Sequence, residues 1–499
     1  MRNLSLLYLV VIPVMVFIVV GCTVSRDSNP LLENDVRVFI LTNAEKLRRD
    51  QEPEYTNKRK LTTSLAKNEQ EGLQFVVNSN NEIKNLKIEV SELISGENRI
   101  GSEAISVYRE HYIDVYLQPV PAVKPGFYPD ALIPMKYDDL NLCDVTPGNN
   151  QGYWINIKTT AQTAAGIYTG TVTLTHDSGI IKLPVEVEVW NFTLPVENSF
   201  KTCFGLTSSA IWNQYKKYGA DTSSNYQTEI NKYMEMLLDH RVNPSDLGQP
   251  MWSSPEALVD YIADIVKDPR INTVQIPYRY DGYKDGKIIH NDNNAYNIKV
   301  CQLMEEKSLT EYGYYYVIDE PSLTEENAKE VRAICSDIKS FSKIPIMVTT
   351  GPNTALFGGY MGIWCPLVNR VYMNNADIEQ LAADRRSEGE EVWWYTCVSP
   401  RNPAPTYHID DRLMSSRLLS WMQKDYQITG NLYWTTTVYE CYRSRDIWTE
   451  TYIEPQNTAA GDGILIYPGV VGDGVINRNT PVPSMRLESV RDGEKTLNI

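Results

Sequence analysis

The run Tyr314-Tyr315-Tyr316-Val317-Ile318 ends abruptly in Asp319, Glu320 and Pro321, placing two neighbouring carboxyls at the close of an apolar, β-prone stretch. Ser322-x-x-Glu325 follows in the pattern of a capping box, which predicts a helix start. The acids therefore stand where a buried strand hands over to a helix. In an α/β barrel that is the carboxyl-end rim, where side chains are held rigidly in front of a cleft. Two carboxyls so placed suggest acid/base work on a glycosidic bond. The plainer reading is that both acids solvate a helix N-terminus, whose dipole favours them. Adjacent residues of a regular strand also point to opposite faces, so both acids reach one hollow only if the strand ends at Asp319 and the backbone turns.

Other groups that could touch a substrate are aromatic. Trp364, Trp394, Tyr395 and Trp434 fall near the ends of later β-prone runs, and Tyr278 follows an earlier one. Flat apolar faces with polar edges suit sugar rings, though packing between barrel and helices explains each of them equally well. Thirty-two tyrosines and ten tryptophans against nine phenylalanines lean the same way. The histidines His111, His176, His240, His290 and His408 are dispersed, with no H-x-x-x-H pair, so neither a metal nor another cofactor is expected. No G-x-S-x-G elbow points to an esterase. Cys143, Cys203, Cys301, Cys335, Cys365, Cys397 and Cys441 form no C-x-x-C pair and read as small buried hydrophobes, not a disulfide framework.

The elements that must position these residues can be read from periodicity. Arg2 precedes an apolar stretch from Leu6 to Val20 that ends in Val19-Val20-Gly21-Cys22, shorter than the ~18–20 residues a membrane span needs. That layout predicts a lipoprotein signal peptide over 1–21, with Cys22 as the lipidated residue and a tether over 22–34. From 35 to 197 apolar and polar residues alternate, as in Leu86, Ile88 and Val90 or Leu183, Val185 and Val187, which predicts an antiparallel β-sandwich. From 198 to 499 strand-like and helix-like segments alternate. Counting a weak strand from Asn243 to Leu247, eight strands are expected, and the Tyr314 strand is the fourth. The fold class expected is a multidomain α/β plus β chain, an N-terminal sandwich followed by a (β/α)₈ TIM-like barrel. A doubly wound sheet is the rival, but no glycine-rich phosphate loop follows the first strand. The net charge of −16, with no basic cluster, argues against a nucleic-acid partner.

The chain resembles glycoside hydrolase family 123 and its close relatives. The resemblance rests on Gly126-Phe-Tyr-Pro-Asp-Ala-Leu-Ile-Pro134, Gly166-Ile-Tyr-Thr-Gly170 and Val189-Trp-Asn-Phe-Thr-Leu-Pro195 in the first domain. In the second it rests on Val317-Ile-Asp-Glu-Pro321, Val392-Trp-Trp-Tyr-Thr-Cys397, Gly430-Asn-Leu-Tyr-Trp434 and Pro483-Ser-Met-Arg-Leu-Glu-Ser-Val-Arg-Asp-Gly493. It implies removal of β-linked N-acetylgalactosamine, with the substrate's own acetamido group as nucleophile. Glu320 would be the acid and then the base, and Asp319 would orient the acetamido nitrogen. Family members usually continue past the Arg-Asp-Gly element into an acidic, aromatic helix, whereas here Asn498 and Ile499 follow within a few residues. A shortened last helix and a poorly covered flank beside the first and eighth strands are therefore expected. Together these readings imply a lipid-anchored cell-envelope protein acting on a glycan or glycoconjugate, touching the membrane only through its anchor. A glycosidase of other specificity and a carbohydrate-binding lipoprotein with a defunct site are the alternatives.

Overall fold

The computed structural model describes residues 31–499 apart from 34, 55–57, 119, 137–141, 218–224, 352, 370–377, 442–444, 455–457, 470–479 and 499. The signal peptide expected over 1–21, and Cys22, lie outside the described residues. Among those described, no helix is long and apolar enough to cross a membrane.

The alternating runs fold into two sheets. A six-stranded sheet is ordered Leu31–Glu33, Val36–Leu41, Gln70–Ser79, Asn150–Lys158, Ile105–Val115, Gly126–Pro134. A seven-stranded sheet is built around the hairpin of Gly166–His176 with Gly179–Thr193, in register from Gly166 opposite Val189 to His176 opposite Gly179. Period two explains the packing. Val172, Leu174, Leu183, Val185 and Val187 line one face, and they meet Phe75, Tyr153 and Ile155 of the other sheet in a single apolar cluster. Each such side chain contributes on the order of 1.5–3 kcal/mol by leaving water. One pairing departs from the antiparallel expectation: Leu61–Lys67 runs parallel to Gly179–Thr193. These two strands are far apart in sequence, so no hairpin forces them into opposite directions.

The second half forms a parallel sheet of seven strands, ordered Lys201–Phe204, Gly430–Tyr433, Glu391–Thr396, Ile363–Trp364, Ile346–Val348, Gly313–Ile318, Val274–Gln275. It curls into a nearly closed barrel. The weak strand expected from Asn243 to Leu247 is reduced to one bridge between Phe204 and Pro244. Proline has no N–H for a ladder, so pairing does not extend there. Across that gap the Asn272 N–H donates to Asn243 Oδ1 at 3.0 Å. Cys203, Tyr314, Met347, Ile363, Trp393, Tyr395 and Leu432 fill the barrel interior.

The helix expected after the acids spans Glu325–Phe341 and buries Ala328, Val331, Ile334, Cys335 and Ile338, a single stripe facing the barrel. It begins later than the capping-box reading predicts. Thr324, not Ser322, accepts the N-cap bond from the Asn327 N–H, because Pro321 to Leu323 are spent crossing the rim.

The last described α-helix, Met485–Glu494, buries every one of its residues between the two domains. Arg486 donates from Nε and Nη2 to the two Asp130 oxygens, each at 2.7 Å, and Tyr467 adds its hydroxyl to Asp130 Oδ2 at 2.7 Å. Glu488 accepts from Asn156 Nδ2 at 2.9 Å and faces His240 Nε2 at 3.2 Å. The bare flank expected beside the outer strands is not seen among the described residues. Cys203, Phe204, Leu432 and Tyr433 are all buried.

Candidate active site

Within Gly313–Ile318 the side chains first alternate as a strand requires. Tyr314 and Tyr316 point into the barrel, and Tyr315 packs against the helices. The register against Ile346–Val348 then slips, with Tyr316 opposite Met347 but Ile318 opposite Val348. One extra residue on this strand makes a bulge, which re-aims whatever follows. Val317 and Ile318 both turn to the helix-facing layer, and Asp319 comes back to the side of Tyr316. Without the extra residue Asp319 would lie on the face of Tyr315. Glu320 then adopts φ +41°, a left-handed conformation that non-glycine residues rarely hold, and the chain turns across the rim. The strand thus closes at Ile318, one residue before the expected end, and the required backbone turn falls on Glu320 itself.

Both acids are held by hydroxyls. Tyr316 donates to Asp319 Oδ1 at 2.6 Å, and Thr349 donates to the same oxygen at 2.9 Å. Thr349 Oγ1 in turn accepts the Glu320 N–H at 2.7 Å, so one side chain ties the two acids together. The Tyr395 hydroxyl donates to Glu320 Oε1. Burial first, and then the hydrogen bond to the neighbouring acid, push the Tyr316 and Tyr395 phenols well above their ordinary value. They remain donors at any ordinary pH.

Two hollows flank the pair. One, of about 390 Å³, is lined by Glu320, Thr349, Leu367, Tyr395 and Val398, among others. The other, of about 310 Å³, is lined by Tyr316, Asp246, Gln275, Trp252 and Trp434, among others. Glu320 lines the first, and Tyr316, the hydrogen-bond donor to Asp319, lines the second. A sugar ring on one side and its leaving group on the other would place the bond between them beside the acids.

Of the aromatics expected here, the structure brings Tyr395 and Trp434 to the mouth. Tyr395 reaches it by its hydroxyl, not as a platform. Trp434 keeps 42% of its surface exposed, and its indole N–H donates to Asp462 Oδ1 at 3.2 Å. Trp364 and Trp394 are corrected to barrel-to-helix packing. On their strands Ile363, Trp393 and Tyr395 point inward, so Trp364 and Trp394 must point outward. Trp364 is fully buried and donates to Glu390 Oε2 at 2.7 Å. Tyr278 also lies away from both hollows, with its hydroxyl on Asp337 Oδ2 at 2.7 Å under the Glu325–Phe341 helix.

Sequence reasoning missed Tyr316, Thr349, Asp246, Trp252 and Asp462. Only Tyr316 carried a signal, since it shares the inward parity of Tyr314. Asp462 is buried; its Oδ1 accepts from Tyr433 at 3.2 Å and from Trp434, while Oδ2 has no hydrogen-bond partner among the described residues. Burial raises this carboxyl to about 6.

Two family models match the chain. Residues 289–499 match the catalytic domain of glycoside hydrolase 123, and residues 41–176 match the glycoside hydrolase 123 N-terminal domain. A family 123 glycoside hydrolase from Clostridium perfringens, solved to study glycolipid glycan hydrolysis, superposes with a TM-score of 0.70 at 14% identity, covering 93% of this chain and 88% of that one. A β-glucuronidase from Parabacteroides merdae reaches a TM-score of only 0.28 at 11% identity, over 84% of this chain and 52% of that one, too slight an overlap to bear on fold. No curated protein matches the chain.

Proposed function

The chain belongs to glycoside hydrolase family 123, and from that premise we propose that it removes a terminal β-linked N-acetylgalactosamine with retention, using the acetamido group of its own substrate. The sugar occupies the hollow of Tyr316 and Trp434, and the leaving group occupies the hollow of Glu320. Asp319, oriented by Tyr316 and Thr349, accepts the acetamido N–H and steadies the positive charge as the acetamido oxygen attacks the anomeric carbon. Glu320 gives its proton to the departing glycosidic oxygen. It then takes one from the water that opens the oxazolinium-like intermediate, and so returns to its starting state.

The observation that supports this reading is the bulge followed by the turn at Glu320, with Asp319 bonded to Tyr316 of one hollow and Glu320 lining the other. Ordinary retaining enzymes hold their carboxyls about 5–5.5 Å apart across the bond, one on each side of it. Neighbours in sequence can instead serve one side, one meeting the leaving oxygen and the other the acetamido group. A Cys22 lipid anchor would hold the protein at the cell envelope, near glycans and glycoconjugates.

Chromogenic β-N-acetylgalactosaminide, β-N-acetylglucosaminide and plain β-galactoside substrates test the mechanism directly. Turnover confined to the 2-acetamido sugars is expected. Cleavage of the plain galactoside would sink assisted catalysis, and binding without turnover would point to a carbohydrate-binding protein.

A further inference from the structure

Trp252 ends the short helical turn Gln249–Trp252 on the wall of the hollow that holds Tyr316 and Trp434, and 82% of its surface is exposed. An indole left almost wholly in water forgoes the stabilisation that burying so large an apolar side chain would bring. The backbone beneath it is nevertheless firmly fixed. Gln227 donates to the Leu247 carbonyl at 2.9 Å and accepts the Gln249 N–H at 2.8 Å. Arg279 donates to the carbonyls on both sides of Trp252, to Met251 at 2.9 Å and to Ser253 at 3.3 Å. The Arg279 guanidinium is itself seated over the Tyr296 ring, 3.5 Å from its centroid. The same segment turns Asp246 toward the hollow, with Oδ1 accepting the Gly248 N–H at 2.7 Å and Oδ2 taking the Ser208 hydroxyl.

We infer that Trp252 is the outer wall of the sugar site and determines affinity by stacking on the apolar face of the pyranose, while Asp246 accepts from its hydroxyls. A sugar has C–H groups on one face and hydroxyls around its edge, which is what a bare indole beside a fixed carboxylate can recognise. Trp434, held through its indole N–H, supplies the second aromatic surface of the same hollow. The assignment rests on the sugar-binding role proposed for that hollow, and it gives Trp252 no part in proton transfer.

The test compares the purified full chain with Trp252→Ala, Trp252→Phe and Glu320→Gln on aryl β-N-acetylgalactosaminide. Loss of ring stacking should raise KM about tenfold in Trp252→Ala, with kcat within about threefold, and Trp252→Phe should recover most of the difference. Because the side chain is exposed, thermal unfolding should not move. A second readout needs no turnover: free N-acetylgalactosamine should shield tryptophan fluorescence from acrylamide in the wild type and less so in Trp252→Phe. A KM for Trp252→Ala within about twofold of wild type overturns the inference. Full activity in Glu320→Gln would instead overturn the reading of the site, whatever Trp252 does.

Discussion

Two concentrations of carboxyl groups in this molecule are built on opposite plans. At the barrel rim, Asp319 and Glu320 are held by the hydroxyls of Tyr316, Thr349 and Tyr395. In the seam between the domains, Asp130 takes two bonds from Arg486, Glu488 is paired with Arg491, and Asp492 with Arg417, all of these carboxyls almost wholly buried. A guanidinium favours the charged form of its carboxylate, as at Glu488, though at Asp492 burial outweighs Arg491 and Arg417 and raises the carboxyl; such charge-assisted pairs suit a fastener. A hydroxyl orients a carboxyl without imposing a charge, which suits a group that must gain and lose a proton in every cycle. The partner type, more than the acid itself, distinguishes the two tasks.

That contrast can be broken most directly at the rim. Glu320→Gln should lower kcat/KM by about 10³-fold on leaving groups that need protonation and far less on activated aryl groups, with little change in melting temperature. Equal losses across a leaving-group series would remove Glu320 from the acid's role. The seam should answer in the opposite way. Arg486→Ala strands Asp130 in the interior and should cost about 3–5 kcal/mol of stability in denaturant unfolding, while kcat per folded molecule is preserved.

Acid titration sharpens the same distinction. Burial alone would raise the Glu488 carboxyl, but Arg491 and then His240 outweigh it and hold it at about 2, against an unfolded value of 4.5. A depressed value means that this stability is present above pH 4.5 and is lost as the pH falls through about 2. The amount is on the order of 3 kcal/mol. Carboxyls raised by burial, such as Asp462 at about 6 and Glu494 at about 7, work in the opposite sense until the pH is below their unfolded values of 3.8 and 4.5, and only then drop out of the difference. Calorimetric melts across that range should show the decline, and Glu488→Gln should flatten it. The smallest effect belongs to Tyr395→Phe. It should reduce kcat about tenfold, as expected for one lost orienting hydrogen bond, and should reshape the pH–rate profile. An unchanged profile would mean that the phenol is packing and not orientation.

Much of the architecture was legible in the chain because it rests on period. Val172 and Leu174, or Leu183, Val185 and Val187, state their own buried face, and the acid pair after an apolar run marks a rim. Facing was harder to read. Val317-Ile318 is a β-branched pair that fits a regular strand, and nothing local announces the extra residue that turns Asp319 inward. On the Ile363–Trp364 strand, two residues long, parity decides everything, and reading it one position off puts an indole in the mouth instead of under a helix. Trp252 and Asp462 lie outside the strands, so no period points to them. Pro244 reduces to a single bridge the weak strand counted from Asn243 to Leu247.

The helix Met485–Glu494 also bears on how the molecule is made. Arg486 lies 356 residues after Asp130. At cellular synthesis rates of about 5–20 residues per second, the ribosome needs roughly 20–70 seconds to deliver the one after the other. Throughout that interval the face carrying Asp130 has emerged without its closing piece. Nascent chains should therefore stay sensitive to protease at that face until translation is nearly done, and chaperones would find their hold there.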